Sequence, residues 1–183
     1  MTRPIFPKAY SDAVARLRVP SGFLLVAAFA WFSVPTQVSL AAGLPLSLCG
    51  LAWRAWAAGH LAKNQQLATG GPYAYSRNPL YLGTLLVAAG LAVASRSAAL
   101  GLLFAAVFVL VYLPVISLEE QHLSALFPAY RDYAAQVPLL VPLPRRRLPG
   151  SEQFRWALYM KNQEYQALAG FLAGCALLLW KAR

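Results

Sequence analysis

Charged residues are scarce in this chain, at 12% of its 183 residues, whereas hydrophobic residues make up 59%. Soluble domains carry about 25% charged residues, so this deficit excludes an ordinary water-soluble domain. Acidic residues are the scarcest, with 6 Asp and Glu against 16 Lys and Arg, which gives a net charge of +10. A basic chain first suggests nucleic acid. Here the cations lie between apolar runs rather than on one soluble surface, so we expect no nucleic-acid partner.

Cysteine and histidine are equally scarce, at two residues each. Cys49 and Cys175 lie inside apolar runs, which predicts buried free thiols rather than a disulfide framework. His60 and His122 stand apart from any cysteine cluster, so we expect no bound metal. The chain also lacks a glycine-rich dinucleotide fingerprint and any internal repeat long enough for a transporter of duplicated halves.

The chain contains several long apolar runs. They predict an all-α, polytopic membrane bundle of about five transmembrane helices. Lys and Arg concentrate in the N-terminal segment and in the segments 59–78 and 119–161, so we expect these three in the cytoplasm of a bacterium, with membrane lipids around the bundle. Pro114 removes a backbone donor near the end of the fourth run and should kink or unwind it. The runs cover residues 20–34, 38–58, 79–94, 98–118 and 165–180.

Two groups of polar residues, which we call polar points, lie at the start of the third run and at the end of the fourth run. The third run begins at Asn78-Pro79, and the fourth ends at Glu119-Glu120. Because a three-residue turn joins these runs, both points lie at one depth on the cytoplasmic side and should be close neighbours. Adjacent carboxylates at a helix end oppose the dipole, so a cation such as Arg77 or a ligand should compensate them. The alternative is that they mark where the helix meets water.

The pair Asn78-Pro79 is typical of a helix start, with Asn as the cap and Pro at the first helical position. Such a start favours an anion, to which Arg77 can add donors. The alternative is a plain capped helix with Arg77 reaching lipid headgroups. Tyr73, Tyr75 and Tyr81 flank the cap and can stack on a nucleobase or anchor the interface. Together these groups suit a zwitterionic ligand that carries hydroxyls.

The stretch from Leu67 to Gly83, LATGGPYAYSRNPLYLG, resembles the isoprenylcysteine carboxyl methyltransferase family. So does the motif EEQHL at residues 119–123, with the Phe, Tyr, Tyr and Val-Pro that follow it. The resemblance implies one membrane domain over residues 1–183 that transfers a methyl group from S-adenosyl-L-methionine to a lipophilic acceptor with a carboxyl, hydroxyl or amine. Within it we expect a helical hairpin at 20–58, a cofactor-binding core at 59–142, and a loop with the last transmembrane helix at 143–183.

The same resemblance implies the roles of individual residues. Asn78 would receive the methionine carboxylate, Glu119 would accept from the amino group or ribose, and residues 65–68 would border the adenosine. Arg77, Asn78 and Glu120 are the implied catalytic residues. Four residues before the last run or at its start are further candidates to border the pocket: Arg155, Trp156, Asn162 and Glu164. The implied cofactor contacts are Gln65, Gln66, Leu67, Ala68, Tyr73, Asn78, Pro79, Leu80, Tyr81 and Glu119.

Two departures from the family pattern bear on the acceptor. The family usually has His where this chain has Asn78, and an amide cannot titrate, so Glu120 or a water would have to take an acceptor proton. Prenylcysteine enzymes carry an Arg where this chain has Val115, so we expect a different lipophilic acceptor. Two alternatives remain: a membrane reductase similar to the sterol reductases, and a non-catalytic scaffold in which Arg77 and both carboxylates are interface residues.

Overall fold

The structure is a computed structural model, described here over residues 6–142 and 153–183. All regular structure in these ranges is helical, which confirms the predicted all-α class. Residues 143–152, which form the first part of the predicted loop, lie outside the described residues. A 3-10 turn (Gly71–Ala74) precedes α3, and a π turn (Phe108–Tyr112) joins α4 to α5. The helices are α1 (Lys8–Phe32), α2 (Gln37–Ala58), α3 (Pro79–Ser95), α4 (Ala98–Val107), α5 (Leu113–Leu126), α6 (Tyr130–Gln136), α7 (Trp156–Lys161) and α8 (Tyr165–Lys181).

Within the described ranges, two helical stretches are long and apolar enough to cross a membrane. They are α2 and the continuous stretch Ala98–Leu126, which contains α4, the π turn and α5. The bent helix α1 adds a third if its two parts are taken as one span. The helices α3 and α8 are apolar but shorter, with 17 residues each. The chain is therefore an integral membrane protein, while the number of about five spans and the cytoplasmic N-terminus stay predictions.

The helices α2 and α3 form the most extensive helix pair, and their backbones touch along four glycines that we call the glycine seam: Gly43, Gly50, Gly83 and Gly90. A Cβ added to Gly43 would lie 2.3 Å from the carbonyl oxygen of Gly90, and one added to Gly50 would lie 2.7 Å from that of Gly83. Ser47 Oγ also donates to a carbonyl oxygen of α3 at 3.0 Å. Small residues give membrane helices this close approach, which lipid does not drive by itself.

The helices α1 and α2, which span the predicted hairpin at 20–58, are joined by the short connection 33–36, but each packs mainly on another partner. The main neighbours of α1 are α4, the π turn and α5, whereas α2 packs on α3. Lys181 Nζ of α8 donates to the carbonyl oxygens of Ala30 at 2.6 Å and Ser33 at 2.9 Å. The last helix therefore caps the carboxyl end of the first, which closes this end of the bundle.

The predicted irregularity at Pro114 is present as the π turn Phe108–Tyr112 immediately before it. Pro114 has no N–H group and cannot donate to the carbonyl of Leu110, four residues earlier. The hydroxyl of Tyr10, on α1, donates to that carbonyl oxygen at 2.9 Å. The proline thus creates both a wider helical turn and an anchoring point for the first helix.

Candidate active site

A cavity of about 490 Å³ opens at the end of the bundle where α2 ends, α3 begins and α5 ends. Its walls come from α2, the loop after it, α3, the π turn, α5, α6 and the segment before α8. The volume falls in the range of about 300–1,000 Å³ that is usual for small-molecule sites. Polar and aromatic side chains line it, and they include many of the residues that the sequence analysis selected.

The two polar points predicted to be neighbours do meet at this cavity. The hydroxyl of Tyr81, in the first turn of α3, donates to Glu119 Oε1 at 2.9 Å. Asn78 Nδ2, at the start of the same helix, lies 3.3 Å from Glu120 Oε1 and donates to it. The topological argument from the two apolar runs is therefore confirmed at the level of side-chain contacts.

Glu119 and Glu120 nevertheless have different surroundings, because consecutive residues of an α-helix point about 100° apart. Glu119 lines the cavity. Glu120 lies outside the cavity lining, and its Oε1 is 2.9 Å from Arg77 Nε. Arg77, one of the cations that the sequence analysis considered, thus compensates the charge of Glu120 but not that of Glu119.

Arg77, Asn78 and Glu120 form a group that we call the polar clasp. Arg77 Nη1 donates to the carbonyl oxygen of Ala134 on α6 at 2.9 Å, and Asn78 Nδ2 donates to that of Leu139 at 3.2 Å. These bonds tie the start of α3 to α5, to α6 and to the chain that follows α6. Of the three predicted catalytic residues, Arg77 alone is in the cavity lining, so the position of Asn78 and Glu120 favours a structural role.

The prediction that the Asn78 side chain caps α3 is wrong. Asn78 does occupy the N-cap position with Pro79 as the first helical residue, but its side chain forms no cap hydrogen bond. The reason is that the amide is engaged by Glu120 and by the carbonyl of Leu139. The backbone N–H of Asn78 donates to Ser76 Oγ at 3.2 Å instead. The first turn of α3 therefore begins without a side-chain acceptor.

Most of the residues predicted to contact the cofactor lie in the cavity wall. Three of the ten, Gln65, Asn78 and Pro79, are absent from the lining. Gln65 is exposed on the loop after α2, whereas Asn78 and Pro79 are buried behind the wall. The remaining seven do line the cavity: Gln66, Leu67, Ala68, Tyr73, Leu80, Tyr81 and Glu119.

Arg54 of α2 is a lining residue that the sequence analysis missed. Its Nε lies 2.5 Å from Glu164 Oε1 and its Nη2 donates to Oε2 at 2.9 Å, so the pair is bidentate. Arg54 Nη1 also donates to the carbonyl oxygen of Leu80 at 3.2 Å and to Thr84 Oγ1. The sequence did contain a signal for it. A lone arginine inside a long apolar run costs free energy to bury in a membrane and therefore marks a candidate functional site.

The segment before α8 closes one side of the cavity. Asn162 Nδ2 donates to the carbonyl oxygens of Ala58 and Leu61, at 2.9 Å each, around the end of α2. The backbone N–H of Arg155 donates to the carbonyl of Gly59 at 2.9 Å. Of the four candidates in this segment, Asn162 and Glu164 line the cavity, whereas Arg155 and Trp156 are absent from the lining. This segment is therefore part of the site rather than a peripheral anchor.

Five tyrosines line the cavity, and two of them titrate unusually. Burial, then the nearby Tyr133 and Glu119, raise the pKa of Tyr73 far above its usual range. Burial, then Glu120, have the same effect on the pKa of Tyr130. Both phenols consequently stay neutral at physiological pH. They serve as polar walls rather than as bases.

Comparison with known proteins gives one family match and two curated relatives. A family profile described as phospholipid methyltransferase matches residues 38–129, which include α2 to α5. The Cobalt-zinc-cadmium resistance protein CzcN of Cupriavidus metallidurans is 36% identical over 102 residues, which cover 55% of this chain and 46% of CzcN. The Nickel-cobalt-cadmium resistance protein NccN of Alcaligenes xylosoxydans xylosoxydans is 32% identical over 114 residues, which cover 61% of this chain and 52% of NccN.

These matches are limited in extent. The chain spans about half the length of the curated relatives it matches. No solved structure matches the chain. The family profile covers the helix starts and ends that form most of the cavity wall, whereas Tyr130, Tyr133, Asn162 and Glu164 lie beyond it.

Proposed function

Because the chain belongs to the phospholipid methyltransferase family, we propose that it transfers a methyl group from S-adenosyl-L-methionine to a lipophilic acceptor in the membrane. The observation that carries this proposal is the cavity at one end of the apolar bundle, with the Glu119 carboxylate and the Tyr81 hydroxyl in its wall. A water-soluble cofactor and a lipid-like acceptor can meet only where a polar cavity adjoins the bilayer.

The residues of the cavity fit this cofactor. Glu119 provides oxygens that accept from an amino group or from ribose hydroxyls. Leu67 and Ala68, in the loop after α2, provide an apolar wall for a flat base. Leu80 and Tyr81 bring the first turn of α3 into the cavity wall, and helix starts favour carboxylates. When bound, the cofactor supplies an electrophilic methyl group on a sulfonium.

The contribution of the chain to such a reaction is positioning and exclusion of water. The segment from Arg155 to Glu164, held on the end of α2, covers one side of the cavity. A sulfonium methyl is intrinsically reactive, so alignment with the nucleophile accounts for most of the rate enhancement. If the acceptor must lose a proton, the titratable side chains in the wall are better placed than Glu120. Glu119 and, one helical turn later, His122 are such groups.

The acceptor we propose carries an amine, hydroxyl or carboxyl group and differs from prenylcysteine. Val115 is 6% exposed and packs with Tyr81 and Ile116, so the position at which prenylcysteine enzymes carry an Arg is apolar here. The exposed apolar side chains of the bundle give such a molecule a route through lipid, as at Phe23, which is 72% exposed. We further propose that the membrane is the bacterial inner membrane and that the cavity faces the cytoplasm, as the Lys and Arg distribution indicates.

The names of CzcN and NccN associate those two proteins with metal resistance. Among the described residues, no three His, Cys, Asp or Glu side chains lie close enough together to hold a metal ion. We therefore propose that any part this chain plays in metal resistance follows from methylation of a membrane molecule. The expected result is that a Glu119→Ala variant fails to restore metal tolerance in cells that lack the protein.

Calorimetric titration of the detergent-purified protein with S-adenosyl-L-methionine tests the proposal. We expect saturable binding that Glu119→Ala weakens by at least about tenfold, since a charged hydrogen bond contributes about 1.5–3 kcal/mol. Gln121→Ala is the matched control, because Gln121 is exposed on the same helix and outside the cavity lining. A folded protein that binds NADPH instead would favour the membrane reductase, and one that binds neither molecule would favour the scaffold.

A further inference from the structure

We infer that Tyr81, Tyr112 and Glu119 form a subsite for a positively charged centre, through which the cavity distinguishes the sulfonium cofactor from its neutral thioether product. This inference rests on the proposed function, because it concerns how the same cavity selects its ligand. Three independent observations support it: the charge balance of the cavity wall, the arrangement of the aromatic rings, and the helical turn that presents Tyr112.

The first observation is that the arginines in the cavity wall are already neutralised. Arg54 is paired with Glu164, and Arg77 is paired with Glu120. Glu119 accepts from the Tyr81 hydroxyl and forms no ion pair with any described residue. The wall at this point thus carries a carboxylate whose charge no neighbouring guanidinium cancels, and a ligand cation would complete the balance.

The other basic side chains in the lining are exposed to solvent. Lys63 is exposed on the loop after α2, and His122 is exposed one helical turn beyond Glu119. Water screens charges at such positions, whereas Glu119 is half-buried between helices. The local potential at Glu119 is therefore negative, which favours a positive ligand atom there.

The second observation is the pair of aromatic rings beside this carboxylate. The rings of Tyr81 and Tyr112 have centroids 5.9 Å apart and meet at 73°, edge to face. Both residues line the cavity. The electron-rich face of an aromatic ring attracts a cation within about 6 Å, and a neutral sulfur receives no such attraction.

The third observation is the way Tyr112 reaches the cavity. Tyr112 is the last residue of the π turn and stacks on Phe108, with centroids 6.0 Å apart and an angle of 9° between the ring planes. A π turn is uncommon and occurs often at functional sites, where it changes the direction of a side chain. Phe108 packs beside Tyr112 but is absent from the cavity lining.

Selectivity for a positively charged sulfur should also affect product release, because methyl transfer removes that charge. The carbon–sulfur bond breaks with its electron pair remaining on sulfur, and a lone pair of the acceptor forms the new bond to the methyl carbon. The positive charge on sulfur disappears in this step, and with it the attraction to the two rings and to Glu119. The product is therefore held less tightly than the cofactor, which favours its release and the next turnover.

The test compares two ligands that differ at the sulfur, S-adenosyl-L-methionine and S-adenosyl-L-homocysteine, by calorimetric titration of the detergent-purified full chain. The ratio of their dissociation constants is the readout, because contacts to the shared adenosine, amino and carboxylate groups cancel in it. We expect the cofactor to bind about tenfold more tightly. Tyr112→Leu and Glu119→Gln should each move the ratio toward one, while the matched control Phe108→Leu should leave it near the wild-type value.

Each outcome has a distinct meaning. Equal affinity of the wild-type protein for both ligands would overturn the inference and leave the proposed function intact. A ratio that Tyr112→Leu and Phe108→Leu change equally would also overturn the inference, since that result indicates repacking of the π turn. If the folded protein binds neither ligand, the proposed function fails and the inference fails with it.

Discussion

The glycine seam and the polar clasp both hold α3 in place, but they do so with opposite chemistry. The seam joins α2 and α3 through backbone contact, because side chains are missing at Gly43, Gly50, Gly83 and Gly90. The clasp fixes the start of the same helix through the charged and amide groups of residues 77, 78 and 120. The seam depends on the absence of side chains, whereas the clasp depends on charged and amide side chains.

This contrast follows from the two environments. Between apolar helices in lipid, hydrophobic burial gives little net attraction, so close van der Waals contact must supply the stabilisation. At the cavity end, water reaches the chain, and polar groups that are partly buried must find partners to offset their desolvation. The two regions should therefore respond to mutation in different ways, and the responses can be ranked.

The largest effect is expected in the glycine seam. In Gly90→Leu, the added Cβ alone would lie 2.6 Å from the carbonyl oxygen of Gly43, so α2 and α3 must separate. We expect a loss of several kcal/mol in unfolding free energy, as for severe overpacking, measured as thermal unfolding in detergent. Gly170→Leu on α8 is the control, since a Cβ there meets nothing within 4 Å. Similar destabilisation by both variants would show that the seam has no special role.

An intermediate effect is expected in the polar clasp. Arg77→Met leaves the Glu120 carboxylate, which is 22% exposed, without its cation, and should cost about 1–3 kcal/mol. Glu120→Gln should cost less, because an amide oxygen can still accept from Arg77 and Asn78. The double variant should be more stable than the sum of the two losses predicts, since the partners no longer leave each other unpaired. Strict additivity in this double-mutant cycle would contradict the clasp.

The smallest effect concerns two buried phenols of the cavity wall, Tyr73 and Tyr130. The pKa of Tyr73 and the pKa of Tyr130 are raised above about 10, the value in an unfolded chain, so the folded state holds these protons more tightly. Their contribution to stability is complete below about pH 10 and is lost as the pH rises further. We expect Tyr73→Phe and Tyr130→Phe to reduce the fall in unfolding temperature between about pH 9 and pH 11.

Tyr165 provides the control for this pH series, because it is 42% exposed on α8. Tyr165→Phe should leave the alkaline response of the protein unchanged. An alkaline response that persists in full when both buried phenols are replaced would assign the effect to other groups.

The cavity end was easier to predict from the sequence than the seam. The proximity of Asn78 to the two carboxylates follows from run lengths and one short turn, which are local features. The Arg54–Glu164 pair joins residues 110 positions apart, and no local pattern links them. The glycines of the seam are spaced seven residues apart on each helix, but this spacing does not identify the partner helix, which appears only in the fold. The predicted Asn78 cap is absent because the side-chain amide donates to Glu120 and to the carbonyl of Leu139, and these tertiary contacts replace the local capping bond.

The π turn has a consequence for how this chain is aligned with others. Because hydrogen bonds in a π turn span five residues instead of four, Phe108–Tyr112 acts as a one-residue insertion in the helix. Every position after it, including Glu119, is rotated by about 100° relative to an uninterrupted helix. A homologue with a regular helix here should therefore keep its cavity carboxylate in phase by having one residue fewer. An ungapped alignment through this region would pair Glu119 with a residue on the wrong face.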